Sequence, residues 1–115
     1  MIDFAVIGSG ISGATISNKL KKKYSIKVFE KAKGVGGRSS FKRFKDKIGF
    51  DHGLQYLSPR SREFKTFTNK LIRKGVVKPW KGNHEFLNER VKRDKKHVKL
   101  IGVRGNNDIS KHLLK

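Results

Sequence analysis

Residues 5–38 read AVIGSGISGATISNKLKKKYSIKVFEKAKGVGGR, and the order of apolar runs and glycines within them decides the fold. Phe4, Ala5, Val6 and Ile7 form a short apolar run that stops at Gly8, and Gly8, Gly10 and Gly13 then give the spacing G-x-G-x-x-G. A second apolar run, Ile26 to Phe29, ends on Glu30 about twenty residues later. Strand, glycine turn, helix, strand and acid in that order predict a βαβ unit built to hold a dinucleotide.

Each residue type has a physical task. Gly8 permits the tight turn off the first strand, Gly10 has no Cβ and lets the backbone approach a pyrophosphate, and Gly13 lets the helix pack closely on the sheet. The helix starts among these glycines, so unpaired N–H groups around Ser9, Ile11 and Ser12, together with the positive end of the helix dipole, face the phosphates. Glu30 is expected to take the ribose hydroxyls. A carboxylate there repels a 2′-phosphate and argues against NADP, and the adjacent Lys31 offsets part of that repulsion.

A second signal follows. Gly36, Gly37 and Arg38 stand at the spacing E-x-x-x-x-x-G-G-R from Glu30, which resembles an extension found in flavoproteins of the amine oxidase superfamily. The resemblance implies FAD, with Gly36 and Gly37 turning the backbone over the cofactor and Arg38 offering a fork of donors to its pyrophosphate or ribityl side. Phe50-Asp51-His52-Gly53-Leu54-Gln55-Tyr56 resembles a further block of renalase-like FAD-dependent oxidoreductases. Gly75-Val76-Val77-Lys78-Pro79-Trp80 and Ile101-Gly102-Val103-Arg104-Gly105 are similar to two later stretches of that family, with Arg104 where proline is more usual. The fold implied is α/β, a Rossmann-like FAD-binding βαβ unit of the p-hydroxybenzoate-hydroxylase-like flavoprotein kind. The resemblance also puts the backbone of Gly53 and the side chains of Gln55 and Tyr56 near the flavin or the substrate cavity. For Tyr56 and Phe50, plain core packing is an equal reading.

Beyond residue 40 the pattern predicts two short strands around Lys45-Asp46-Lys47. A helix follows, starting near Pro59 and Ser61, carrying Phe64, Phe67, Leu71 and Ile72 on an aromatic inner face and closing at Gly75. Residues 76–103 read as strands of a substrate-side layer broken by a charged turn from Asn88 to Lys96. Asn107 or Asp108 is expected to cap a last helix bearing Ile109, Leu113 and Leu114. The division expected is residues 1–58 for the cofactor-binding unit, with its GGR and FDHG segments, and 59–115 for a helix and the start of the substrate-side region. A doubly wound sheet needs at least a third parallel strand, so the reading is of an N-terminal piece of a longer protein.

The chain has 115 residues, no cysteine and a formal net charge of +20. Without cysteine there is no disulfide, thiolate nucleophile or Cys-based metal site, and His52, His84, His97 and His112 lack ligand spacing, so no metal is expected. The 29 cations follow the polar positions of every element, and those at Lys21, Lys22 and Lys23 suit a helix C-terminus. Salt-sensitive retention on nucleic acid is expected, with no specific nucleic-acid partner. No apolar stretch reaches the length of a signal or membrane helix, which reads as a cytoplasmic protein without a membrane partner.

These readings converge on an FAD-dependent oxidoreductase that takes an amine or dihydronicotinamide-type small molecule, with dioxygen as acceptor. No catalytic acid or base and no oligomeric state is read from these residues. An NAD-binding Rossmann domain without flavin and a basic nucleic-acid-associated module stay open as alternatives.

Overall fold

The computed structural model describes residues 1–45, 48–81 and 98–115. The apolar runs either side of the glycines become β1 (Phe4–Ile7) and β2 (Ile26–Phe29), which pair in parallel with Phe4 opposite Ile26 and Val6 opposite Val28. A parallel pair needs a crossover, and α1 (Ile11–Leu20) supplies it. A Cβ on Gly13 would fall on the Gly8 carbonyl oxygen and meet the Val6 side chain at 3.4 Å, so the missing side chain sets the distance between α1 and β1. Ala14 and Ser17 form the buried face of α1, and Ser17 satisfies its hydroxyl by donating to the Gly13 carbonyl at 2.8 Å. Ile7 and Phe29 point away from α1 by strand alternation and are exposed.

The expected hairpin is β3 (Phe41–Arg43) against β4 (Gly49–Asp51), antiparallel with Arg43 opposite Gly49. Asp46 and Lys47 of its turn lie outside the described residues, as do the Asn88 to Lys96 turn, His84 and His97. The helix expected from Ser61 is α2 (Arg62–Arg73), whose N-cap Ser61 accepts from the Phe64 N–H at 3.1 Å. Gly75, at φ +67°, donates to the Ile72 carbonyl and Val76 to the Leu71 carbonyl, both at 2.9 Å. This is a Schellman closure, in which the apolar partners Leu71 and Val76 are both buried. The inner face of α2 differs from the expectation in one respect. Thr68 and Leu71 are its buried residues, while Phe64 and Phe67 are half-buried and stack on each other at 6.1 Å. Burying Leu71 contributes about 1.5–3 kcal/mol.

The predicted second layer is β5 (Val77–Pro79) antiparallel to β6 (Leu100–Gly102), extended by a bridge between Leu57 and Leu100. Val77, Leu100 and Leu57 join Leu71, Ile109 and Leu113 in one buried cluster, which also reaches Ala14 of α1. The last helix, α3 (Asp108–Leu113), lies on α1, and Asn18 donates to the Leu113 carbonyl at 2.6 Å. Its expected cap is absent. Asn107 holds the N-cap position in helical backbone geometry without a side-chain hydrogen bond, and Asp108 turns backward to accept from the Arg104 N–H at 3.0 Å and Nε at 3.2 Å. A proline at 104 has no N–H to give, so Arg104 adds a bond that the more usual residue cannot make. Among the described residues no helix is long and apolar enough to cross a membrane, and no group of three His, Cys, Asp or Glu residues is placed to hold a metal ion.

Candidate functional site

The turn off β1 uses Gly8 at φ +93°, a value that L side chains rarely adopt, and it delivers the chain to α1 with Gly10 as N-cap. No side chain caps this helix start. The first helical N–H with an intrahelical acceptor is that of Ala14, bonded to the Gly10 carbonyl at 2.9 Å. The N–H groups of Ile11, Ser12 and Gly13 precede it, at the positive end of the helix dipole, which suits an anionic oxygen.

The GGR segment is laid directly against this loop. Gly36 donates to the Ser9 carbonyl at 3.1 Å, and Gly10 and Gly36 form a parallel bridge. A Cβ on Gly37 would come within 3.3 Å of Gly10 Cα, so the two loops touch backbone to backbone. Between them opens a cleft of about 460 Å³. Ile7, Gly8, Gly10, Ile11, Ser12 and Gly13 line one side, and Gly36, Gly37, Arg38 and Ser39 the other, with Leu54 completing it. Arg38 is exposed at the edge, where its guanidinium meets solvent.

The FDHG block acts on the cleft through the backbone. Leu54 donates to the Arg38 carbonyl at 2.9 Å, and a Cβ on Gly53 would sit 2.5 Å from that same oxygen, so Gly53 clears the space for the bond. His52 meets the Ser40 hydroxyl at 3.0 Å. Buried Asn106 locks the arrangement from behind, with its N–H on Asp51 at 2.7 Å and its side-chain amide on the Leu54 carbonyl at 2.7 Å. Gln55 and Tyr56 stand outside the cleft. Gln55 is exposed, and the Tyr56 ring packs at 5.8 Å from Trp80 with the Lys99 ammonium 4.6 Å from its centroid. Leu54, Ser39 and Asn106 belong to the site without being among the residues expected from the sequence. Leu54 is legible as the apolar residue inside FDHG-x-QY, whereas Asn106, which also accepts from the Gly102 N–H at 2.9 Å, meets its cleft-side partners Asp51 and Leu54 more than fifty residues away.

Glu30 follows β2 beside the glycine loop; it and Lys31 are both exposed, and neither is part of the cleft lining. One Glu30 oxygen accepts from the Ser9 hydroxyl at 2.5 Å and the Ser9 N–H at 2.7 Å, and the other accepts from the Ala32 N–H at 2.8 Å. The Ser9 N–H is therefore committed to Glu30, and the phosphate-facing donors begin at Ile11. The Ser9 hydroxyl, then the Ala32 and Ser9 N–H groups, lower the Glu30 pKa from 4.5 to about 2. The folded carboxylate binds fewer protons than the unfolded one across that interval, so its contribution is complete above pH 4.5 and is lost as the pH falls towards 2. Glu30→Gln is expected to flatten the rise in stability between those pH values, measured as urea midpoints. An unchanged slope would mean that the Ser9 bonds do not persist in solution.

A family model described as an NAD(P)-binding Rossmann-like domain matches residues 6–71, more than half of the chain. That span holds the glycine loop, Glu30, the GGR turn and α2 up to Leu71. An uncharacterized protein of Methanocaldococcus jannaschii is 41% identical over 54 residues, which are 47% of this chain and 14% of the relative. The matched segment thus spans about a seventh of that relative's length.

Proposed function

The chain belongs to the NAD(P)-binding Rossmann-like domain family, and from that premise we propose that it forms the cofactor-holding part of an FAD-dependent oxidoreductase of the renalase-like, amine-oxidase kind. One observation carries the reading. The GGR turn is joined to the glycine loop by the Gly10–Gly36 bridge, which brings Arg38 to the edge of the same cleft as the N-terminus of α1. A dinucleotide domain that needs only the glycine loop gains nothing from this second backbone wall.

The cleft suits such a cofactor on its own evidence. Its walls near the helix start are backbone, and three N–H groups precede the first intrahelical bond with no capping side chain. The N–H groups of Ile11, Ser12 and Gly13 would hold the pyrophosphate, Arg38 would add charge-assisted bonds, and Glu30, kept ionised, would accept from ribose hydroxyls and turn away a 2′-phosphate. Flavin supplies, when bound, acceptance of a hydride from a carbon next to nitrogen, with dioxygen as the expected final acceptor. Leu54 adds an apolar side chain to the cleft lining. The substrate class proposed is an amine or a dihydronicotinamide.

Titration of the chain with FAD, followed by flavin fluorescence and visible absorption, tests this directly. Saturable FAD binding is expected, and Arg38→Ala is expected to weaken it by about 1.5–3 kcal/mol, roughly ten- to a hundredfold. FAD and NAD bound equally, both indifferent to Arg38, would return the chain to a nicotinamide-binding role.

A further inference from the structure

The cofactor reading leaves most of the +20 net charge unexplained. In sequence the cations look dispersed, but the fold gathers six of them at one end. Asn18, in the last turn of α1, is bonded to the end of α3 through the Leu113 carbonyl. Leu71 and Val76 at the end of α2 share the buried cluster with Ile109 and Leu113 of α3. The ends of α1 and α3 therefore meet there, and Lys74 at the end of α2 lies close enough to act on His112 of α3, which brings the exposed Lys21, Lys74 and Lys115 together with their chain neighbours Lys22, Lys23 and Arg73. Among the described residues none of the six pairs with a side-chain carboxylate, the ion pairs of Asp108 going to Arg104 and Lys111. His112 registers the crowding: its pKa is lowered first by burial and then by Lys74, Lys115 and Lys21.

Helix-end solvation accounts for only part of this. A helix C-terminus carries about −0.5 charge, so three short helices offset at most roughly 1.5 of the six positive charges. We propose that this end of the molecule is a sequence-independent binding surface for the phosphodiester backbone of duplex nucleic acid. Five of the six are lysines, point charges on flexible stems that meet a regular line of phosphates without needing fork geometry. Lysine is depleted from protein–protein interfaces, which disfavours an acidic protein. Stable docking on a lipid surface adds apolar side chains that insert beside the charges. Tyr24, the large exposed ring next to Lys23, is instead turned edge-on against Phe4 at 5.1 Å. The surface lies at the opposite end of α1 from the cleft, about 15 Å away for a ten-residue helix.

The test compares two fourfold variants of equal net charge on a fluorescent mixed-sequence DNA duplex across a salt series. One carries Lys21→Gln, Lys22→Gln, Lys23→Gln and Lys74→Gln; the other carries Lys42→Gln, Lys65→Gln, Lys78→Gln and Lys81→Gln. All eight side chains are exposed, so both variants are expected to keep their helices, which circular dichroism checks. The first set is expected to weaken binding at least tenfold and to make the log–log salt slope shallower by about 3–4, near 0.9 per lost phosphate contact. The second is expected to stay within about threefold of the parent, with its slope little changed. Equal losses in the two sets would reduce the effect to net charge and overturn the proposal. So would tighter binding to phosphatidylserine vesicles than to the duplex.

Discussion

Gly13→Ala is expected to destabilise the fold by about 3 kcal/mol or more, because the added carbon would fall on the Gly8 carbonyl oxygen, which is backbone and cannot rotate away. To make room, α1 must lift from β1, which separates Ala14 from the core and stretches the bond between Asn18 and the end of α3. A chain of this size is stabilised by roughly 6–17 kcal/mol, so the loss is a large fraction of the whole. Urea unfolding followed by circular dichroism measures it. Gly10→Ala is the informative partner. Its Cβ would meet Gly36 O and Gly37 Cα at 3.9 Å, ordinary contact, so the fold should survive with a change of less than about 1 kcal/mol. That methyl group would nonetheless stand in the cleft, and FAD binding should fall with it. Gly13→Ala at full stability would show that the helix–strand spacing is not set by this glycine.

The division of labour among the glycines was legible in the sequence because it depends on local order. Strand, turn, helix and acid follow one another within thirty residues, and the same closeness made the hairpin, the Ser61 cap and the Gly75 closure readable. The roles in which the structure departs from expectation all depend on distant partners. The glycine-loop pattern puts Ser9 with the phosphate donors, yet its N–H and hydroxyl both serve Glu30, twenty-one positions away. Asp108 has good capping chemistry, but Arg104 presents it with two donors and draws it off the helix. Tyr56 sits two residues from Leu54 in irregular backbone, so no local periodicity decides which neighbour receives its ring. Trp80 and Lys99 receive it, and they come from the ends of the second layer.

Gly36→Ala is expected to abolish the joined architecture on which the flavin reading rests. The position has φ +124°, where a side chain costs about 1–3 kcal/mol in backbone strain alone. The new carbon would also lie 2.9 Å from Asn107 Cβ, 3.0 Å from Ser39 O and 3.1 Å from Ser40 Cα, so the turn is closed in by α3 on one side and its own backbone on the other. Relief requires Gly36 to leave the Ser9 carbonyl, which opens the bridge to Gly10 and carries Arg38 off the edge of the cleft. A loss of about 3 kcal/mol in stability is expected, with FAD binding weakened by more than a hundredfold. Gly34→Ala, two residues earlier, has nothing within 4 Å of its Cβ and should leave both quantities unchanged within about 0.5 kcal/mol. If Gly36→Ala instead lowers stability but keeps FAD affinity in the remaining folded protein, Arg38 reaches its ligand without the bridge. The N-terminus of α1 would then be sufficient for the cofactor by itself, as it is in domains that bind only a nicotinamide dinucleotide.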